Sequence, residues 1–198
     1  MTIKKLFHII SNKSRMAPDL ILQFDPADIQ HLAAQYNRGN QQDTAEQDIV
    51  DRIAPQVKAS KSITVDDFRL VCNWKTPRSK SRVRENSPGF IHEVFQLALS
   101  AKEERLRIEL FTLLKGVSYP TASVFLHFFH ENPYPIIDFR ALEALGAEQP
   151  GNYSFDFWWA YVTACRKLAQ ESAVDMRTLD RALWQWSRNG AQQKTSEE

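Results

Sequence analysis

The chain has 198 residues, with 25 Lys and Arg against 24 Asp and Glu, a hydrophobic fraction of 43% and two cysteines. That length suits one domain with a real core, and the composition is that of an ordinary globular protein. A formal net charge of +1 excludes binding to nucleic acid through bulk charge, no apolar run approaches the roughly 18–20 residues of a membrane span, and Cys72 and Cys165 can build neither a disulfide framework nor a zinc or iron–sulfur quartet.

The N-terminus, Met1 to Ile10, begins as a signal peptide does, but its apolar stretch breaks off within a few residues and no small-residue cleavage site follows. A reducing cytoplasm is the expected setting. From residue 26 onward the apolar spacing is helical, and no two-residue alternation marks a strand. The expected fold is all-α, a single-domain helical bundle over residues 1–188, with N-terminal helices in 1–60 and a disordered polar tail at 189–198.

Asp25 before Pro26 reads as a cap and first-turn proline opening a helix to about Tyr36. Asn37 to Thr44 is polar and reads as a loop, followed by a short helix ending near Pro55. Thr64 with Asp67 three residues on resembles a capping box for a helix through Phe68, Val71 and Cys72. Ser87-Pro88 repeats the cap-then-proline signal and sets Ile91, Val94, Phe95 and Ala98 on one face. Leu106, Leu110, Leu113 and Leu114 then predict an amphipathic helix ending at Gly116. Thr121 to Phe129 is apolar nearly all round and belongs in the centre of the fold. Phe157, Tyr161, Val162, Cys165 and Leu168 mark a further helix. The last begins after Asp175, buries Met176, Leu179, Leu183 and Trp186, leaves Arg177, Arg181 and Arg188 outside, and stops at Gly190.

Local charge says more than net charge. Between Trp74 and Arg84 stand Lys75, Arg78, Lys80, Arg82 and Arg84 with no acid among them, a stretch able to neutralise several phosphates. Trp74 adjoins it and could stack on a base. His127 and His130 share a helix face but have no third ligand at a telling spacing.

The most informative segment runs from Leu113 to Gly146. It reads as an amphipathic helix, a tight turn at Gly116-Val117-Ser118, a buried second helix opened by Thr121-Ala122, an extended Tyr134-Pro-Ile-Ile, and Asp138 at the start of a third helix. Gly116 permits backbone geometry closed to other residues, and the amides of the turn suit a phosphate. By itself Asp138 is an N-cap worth about 1 kcal/mol.

This segment resembles the helix-hairpin-helix DNA glycosylase superfamily, especially endonuclease III and the adenine-specific mismatch glycosylases. The family carries a Leu-x-Gly-Val-Gly hairpin, a Thr-Ala or Lys-Ala pair opening the second helix, and a Pro-x-x-Asp beyond it. Here Asp138 of Pro135-Ile-Ile-Asp138 follows Gly116 by 22 residues. The resemblance implies a helix-hairpin-helix motif gripping duplex DNA through Gly116, Val117 and Ser118, with a monovalent cation at the hairpin as the sole cofactor that might have a place there. It implies Asp138 as the carboxylate that stabilises the oxocarbenium-like transition state of base release. Bifunctional members place a lysine just before the pair opening the second helix, where this chain has Pro120, and the cluster cysteines of endonuclease III are missing. A monofunctional, cluster-free enzyme without metal is the expectation. Its partner would be double-stranded DNA, bound by a monomer, with the target base flipped out between Trp74, Tyr119 and Phe139. The chain has no obvious extra domain to read the opposite strand, so the expected substrate is a damaged or modified base, in a repair role, or a hypermodified base of viral DNA, in a defence role. The alternative is a non-catalytic DNA-binding protein in which Asp138 only caps.

Overall fold

The computed structural model describes residues 19–40 and 43–196. The signal-peptide-like start and the last two residues of the tail lie outside the described residues. The chain folds as α1 (Ile29–Gly39), α2 (Thr44–Asp48), α3 (Ala54–Ser60), α4 (Val65–Lys75), α5 (Lys80–Val83), α6 (Pro88–Ser100), α7 (Glu104–Thr112), α8 (Tyr119–Phe129), α9 (Phe139–Ala144), α10 (Phe155–Glu171) and α11 (Met176–Ser196). Among the described residues there is no strand, and no helix is long and apolar enough to cross a membrane. The all-α reading holds.

Side-chain caps set most of the helix starts. Asp25 accepts from the Ala27 amide at 2.9 Å, forming a 3-10 turn at Pro26–Asp28 that leads into α1. Thr64 accepts from the Asp67 amide at 3.1 Å and donates its hydroxyl to the Asp67 carboxylate at 2.7 Å, so the pair read as a capping box does cap α4. Ser87 caps α6 ahead of Pro88, and Ile91, Val94, Phe95 and Ala98 are buried as their spacing requires.

Helix α8 is the axis of the fold. Val124, Phe125 and Leu126 are fully buried, and the ring of Phe125 meets Phe95 at 5.0 Å and Phe111 at 5.1 Å between centroids. Such aromatic pairs contribute about 0.5–1.5 kcal/mol beyond the area they bury. Helices α4 and α7 pack on α8, α6 packs on α7, and the long α11 lies along α1 and against α9. The segment before α1 closes over the end of α9, where Ile21 and Gln23 donate their amides to Leu145 and Ala144, both at 2.9 Å.

Several local expectations are corrected. Helix α1 runs to Gly39, past the predicted start of the loop. Pro55 ends no helix: lacking an N–H, it sits in the first turn of α3 after a π-turn at Ile49–Ile53, where the Ala54 amide reaches back to Ile49. On α7 and the turn that follows it, Leu106 and Leu113 are 53% and 57% exposed, and the inward residues are Arg107, Ile108, Phe111 and Leu114. Arg107 decides this, because its guanidinium is buried between the Tyr134 hydroxyl at 2.6 Å and Glu104 at 2.8 Å. Gly190 does not stop α11, which continues through residues assigned to a disordered tail. The turn before Gly190 is tied down by a chain of hydrogen bonds from Gln185 through Asn189 to Gln35 of α1.

The turn between α7 and α8 is built on Gly116, whose φ of +80° lies in the left-handed region. A Cβ there would stand 2.8 Å from Val83 Cγ2 and 3.0 Å from the Val83 amide nitrogen. Asn86 fastens the same junction, donating to the carbonyls of Val83 and Lys115, both at 2.9 Å, and accepting from the Lys115 amide at 2.8 Å. The short basic helix α5 is thereby docked on the turn. Gly116→Ala combines a disfavoured φ with overpacking, so it should lower unfolding free energy by roughly 2–4 kcal/mol. Urea denaturation checks this, as a lower midpoint at unchanged slope.

Candidate active site

Tyr134 to Ile137 cross the interior in extended form, and their backbone groups are paired from three helices. From α8, His127 donates Nδ1–H to the Tyr134 carbonyl at 2.6 Å, and Ser123 Oγ accepts from the Ile137 amide at 3.1 Å. From α10, Tyr161 donates its hydroxyl to the Ile136 carbonyl at 2.9 Å. From α11, Asp180 Oδ1 accepts from the Ile136 amide at 2.9 Å. Burial pushes the His127 imidazole down to about 3, so the ring is neutral, as its bond to a carbonyl requires. Among the described residues no group of acidic, His or Cys side chains is arranged to hold a metal.

This clamp delivers Asp138 to the start of α9. Its Oδ1 accepts from the Ala141 amide at 3.0 Å, an N-cap, while its Oδ2 takes a hydrogen bond from Lys75 Nζ at 2.7 Å. Both side chains are largely buried, with 12% of Lys75 and 20% of Asp138 exposed. The pair opens on a pocket of about 560 Å³, within the roughly 300–1,000 Å³ typical of small-molecule sites. Aromatic walls come from Tyr36, Trp74, Phe139, Tyr153 and Trp184; polar groups come from Asn40, Asp43, Gln149, Arg177 and Asp180. Ser118 of the turn and the exposed Arg78 line the same pocket.

No family model, curated protein or solved structure matches this chain. The site therefore stands on its own geometry.

The residues singled out from the sequence divide into three groups. Asp138, Trp74, Phe139, Ser118 and Arg78 come together at the pocket. Trp74 is held there by its Nε1–H on Asp43 at 3.0 Å and an edge-on contact with Phe128, and Phe139 stands 54% exposed at the lip. Lys80, Arg82 and Arg84 are exposed on or beside α5, next to Gly116 and the buried Val117. Two residues depart from expectation. Lys75 does not extend with the basic stretch but turns into the pocket onto Asp138. Tyr119 is no pocket wall: it is buried against Trp158 with its hydroxyl on Glu109 at 3.2 Å.

Arg177 and Arg181, expected outside, face inward. Both reach the buried Glu46 carboxylate, Arg181 at 2.8 Å, and Tyr36 donates its hydroxyl to the same group at 2.8 Å. Burial alone would raise the Glu46 carboxyl, but Arg177 and the hydrogen bonds from Arg181 and Tyr36 hold it below the usual range. Asp180 shares Arg177, at 3.1 Å, yet burial pushes its carboxyl up to about 6. Tyr153 belongs to an aromatic cluster, Tyr153 to Tyr161, that reads from the sequence as mostly core with one member free to wall a pocket, and it is the member that lines this one. Asp180, Arg177 and Tyr36 were not legible as site residues. The spacing that puts Leu179 and Leu183 inside does place Asp180 beside them, and that was the available signal.

Because the Asp180 carboxyl is raised above its ordinary value of 3.8, the folded state holds its proton more firmly than the unfolded state does. Its contribution to stability is therefore fullest below that value and declines as pH rises through about 6. Asp180→Asn lacks this decline. Relative to wild type, the variant should gain up to about 3 kcal/mol between about pH 4 and about pH 7. Urea unfolding at stepped pH reads this, and a pH-independent difference would contradict it.

Proposed function

We propose that the protein is a DNA N-glycosylase that excises a damaged or modified base, with Asp138 as its catalytic carboxylate. The observation that carries the reading is a largely buried carboxylate, oriented by its own cap, at the wall of an aromatic pocket beside the Gly116 turn. Breaking a base–sugar bond builds positive charge on the sugar, and a fixed carboxylate in a partly dry site stabilises that charge without reorganising. The base leaves the stack at a cost of a few kcal/mol and enters the pocket, where stacking returns about 1–3 kcal/mol per aromatic contact. Arg78 at the rim and Lys80, Arg82 and Arg84 beside the turn bind the phosphates on either side. In the complex, the Lys75 ammonium exchanges Asp138 for a flanking phosphate, which frees the carboxylate to face the sugar. Water is then the nucleophile, in keeping with Pro120 at the position of the family's lysine.

Asn caps a helix about as well as Asp, so Asp138→Asn separates catalysis from capping. Base release from duplex oligonucleotides, read as alkali-labile sites across a panel of deaminated, oxidised, alkylated and hypermodified bases, should fall at least about a hundredfold. Affinity should stay within a few fold, since the lost interaction belongs to the transition state. Equal base release by wild type and variant would leave Asp138 as a cap and overturn its catalytic role; no base release from either leaves a non-catalytic DNA-binding protein.

One observation favours a second reading of the same site, in which the enzyme is bifunctional. The Lys75 amine lies at the carboxylate itself, and Asp138 could take its proton and leave it free to attack the sugar carbon. Borohydride added during turnover decides between them. With water as the nucleophile no covalent protein–DNA adduct forms, which is the expected result. An adduct that maps to residue 75 and is lost in Lys75→Gln replaces the monofunctional reading.

A further inference from the structure

Tyr153 precedes the cap of α10, and its ring lies edge-on against Phe157 with 5.9 Å between centroids. It lines the same pocket as Asp138. Its hydroxyl oxygen is buried yet finds no hydrogen-bond partner among the described residues. A buried polar group without a partner is costly and uncommon, and at a pocket wall it marks the place of a ligand atom. The other buried orphan on a ring among the described residues, Trp158 Nε1, belongs to a fully buried core side chain. Tyr153 is the aromatic orphan whose residue lines the pocket. Burial, reinforced by the negative charge of Asp138, pushes its phenol up to about 12. At neutral pH the group is therefore a protonated donor with its hydrogen uncommitted.

The pocket thus sets two groups of opposite character on one cavity. Asp138 favours positive charge, and the Tyr153 hydroxyl favours negative charge. Cleaving an N-glycosidic bond creates both: positive charge on the sugar, and the electron pair of the broken bond on the base. We propose that Tyr153 is a further catalytic residue, its hydroxyl donating a hydrogen bond to the departing base. This rests on the glycosylase reading and adds the leaving-group side to it. In the balanced step the bond between the sugar carbon and the base nitrogen breaks, and its electron pair stays with the base. Water adds to the sugar carbon through oxygen, and a proton of that water ends on the base. The phenol keeps its own proton throughout, as a group this weakly acidic would.

The test is Tyr153→Phe in the full chain, which removes the hydroxyl and nothing else. The hydroxyl has no partner to lose, so the thermal midpoint should not fall. Single-turnover base release should fall at least about tenfold, with affinity for the same duplex unchanged. The defect should also depend on the leaving base. It should be larger for uracil than for the more acidic fluorouracil, or for the corresponding pair from an alkylated, oxidised or hypermodified series if wild type cuts that instead, because a better leaving group needs the donor less. Wild type that cuts, with a variant that cuts equally fast, overturns this inference alone. So does a defect equal across leaving groups, which would mean a general loss of packing. Wild type that releases no base from any duplex overturns the glycosylase reading and this inference with it.

Discussion

Residues 134 to 137 carry peptide groups through the interior without belonging to a helix, and everything around the site is arranged to satisfy them. A buried peptide group left unpaired costs on the order of 1–3 kcal/mol. Here the partners come from His127, Ser123, Tyr161 and Asp180, on three different helices. Sliding any one of these helices by a residue would orphan part of the segment. The register of α8, α10 and α11 and the position of Asp138 are therefore fixed together. This explains why a short helix such as α9, with only six residues, can present a side chain with precision: its start is held by the clamp, and its end by hydrogen bonds from residues before α1.

A second network extends the site toward the N-terminal helices. Arg177 joins Asp180 to Glu46, and Glu46 in turn binds Arg181 and Tyr36. Burying such charges gains little net stability over an apolar core, since desolvation offsets most of the attraction. What the network does is give the pocket a polar wall made from elements far apart in sequence, α1 and the cap of α2 on one side and α11 on the other. Trp74 is drawn into that wall through Asp43, whose other oxygen caps α2 at the Glu46 amide. The pocket is thus complete only when α1 and α11 have packed together.

That history explains what could be read from residue order. Caps and periodicity are local, so Thr64, Ser87 and the buried α8 were legible, and so was an Asp opening a helix at 138. The leucines of α7 misled because apolar spacing treats Arg107 as an outward residue, whereas its guanidinium is needed under Tyr134 and Glu104. Arg177 and Arg181 misled for the same reason, since their partner Glu46 lies more than a hundred residues away. Lys75 looked like one more member of a basic stretch. Its contact spans 63 residues, and no local pattern distinguishes a lysine that faces solvent from one that folds back onto a carboxylate.

The Lys75–Asp138 pair also constrains how any chemistry at this site must begin. The carboxylate has two oxygens, and the fold uses both: one caps α9, and the other holds the ammonium. In the proposed reaction a developing sugar cation would compete directly with Lys75 for the second oxygen, while the first would stay committed to the helix and keep the group oriented. If the ammonium stayed in place, its charge would cancel much of the stabilisation the carboxylate offers. On the proposed reading, productive binding would either draw the lysine onto a phosphate or strip its proton and make it a reactant. In both cases the resting pair keeps a charged carboxylate compensated in a partly buried pocket until substrate arrives, which links the stability of the empty site to the step that activates it.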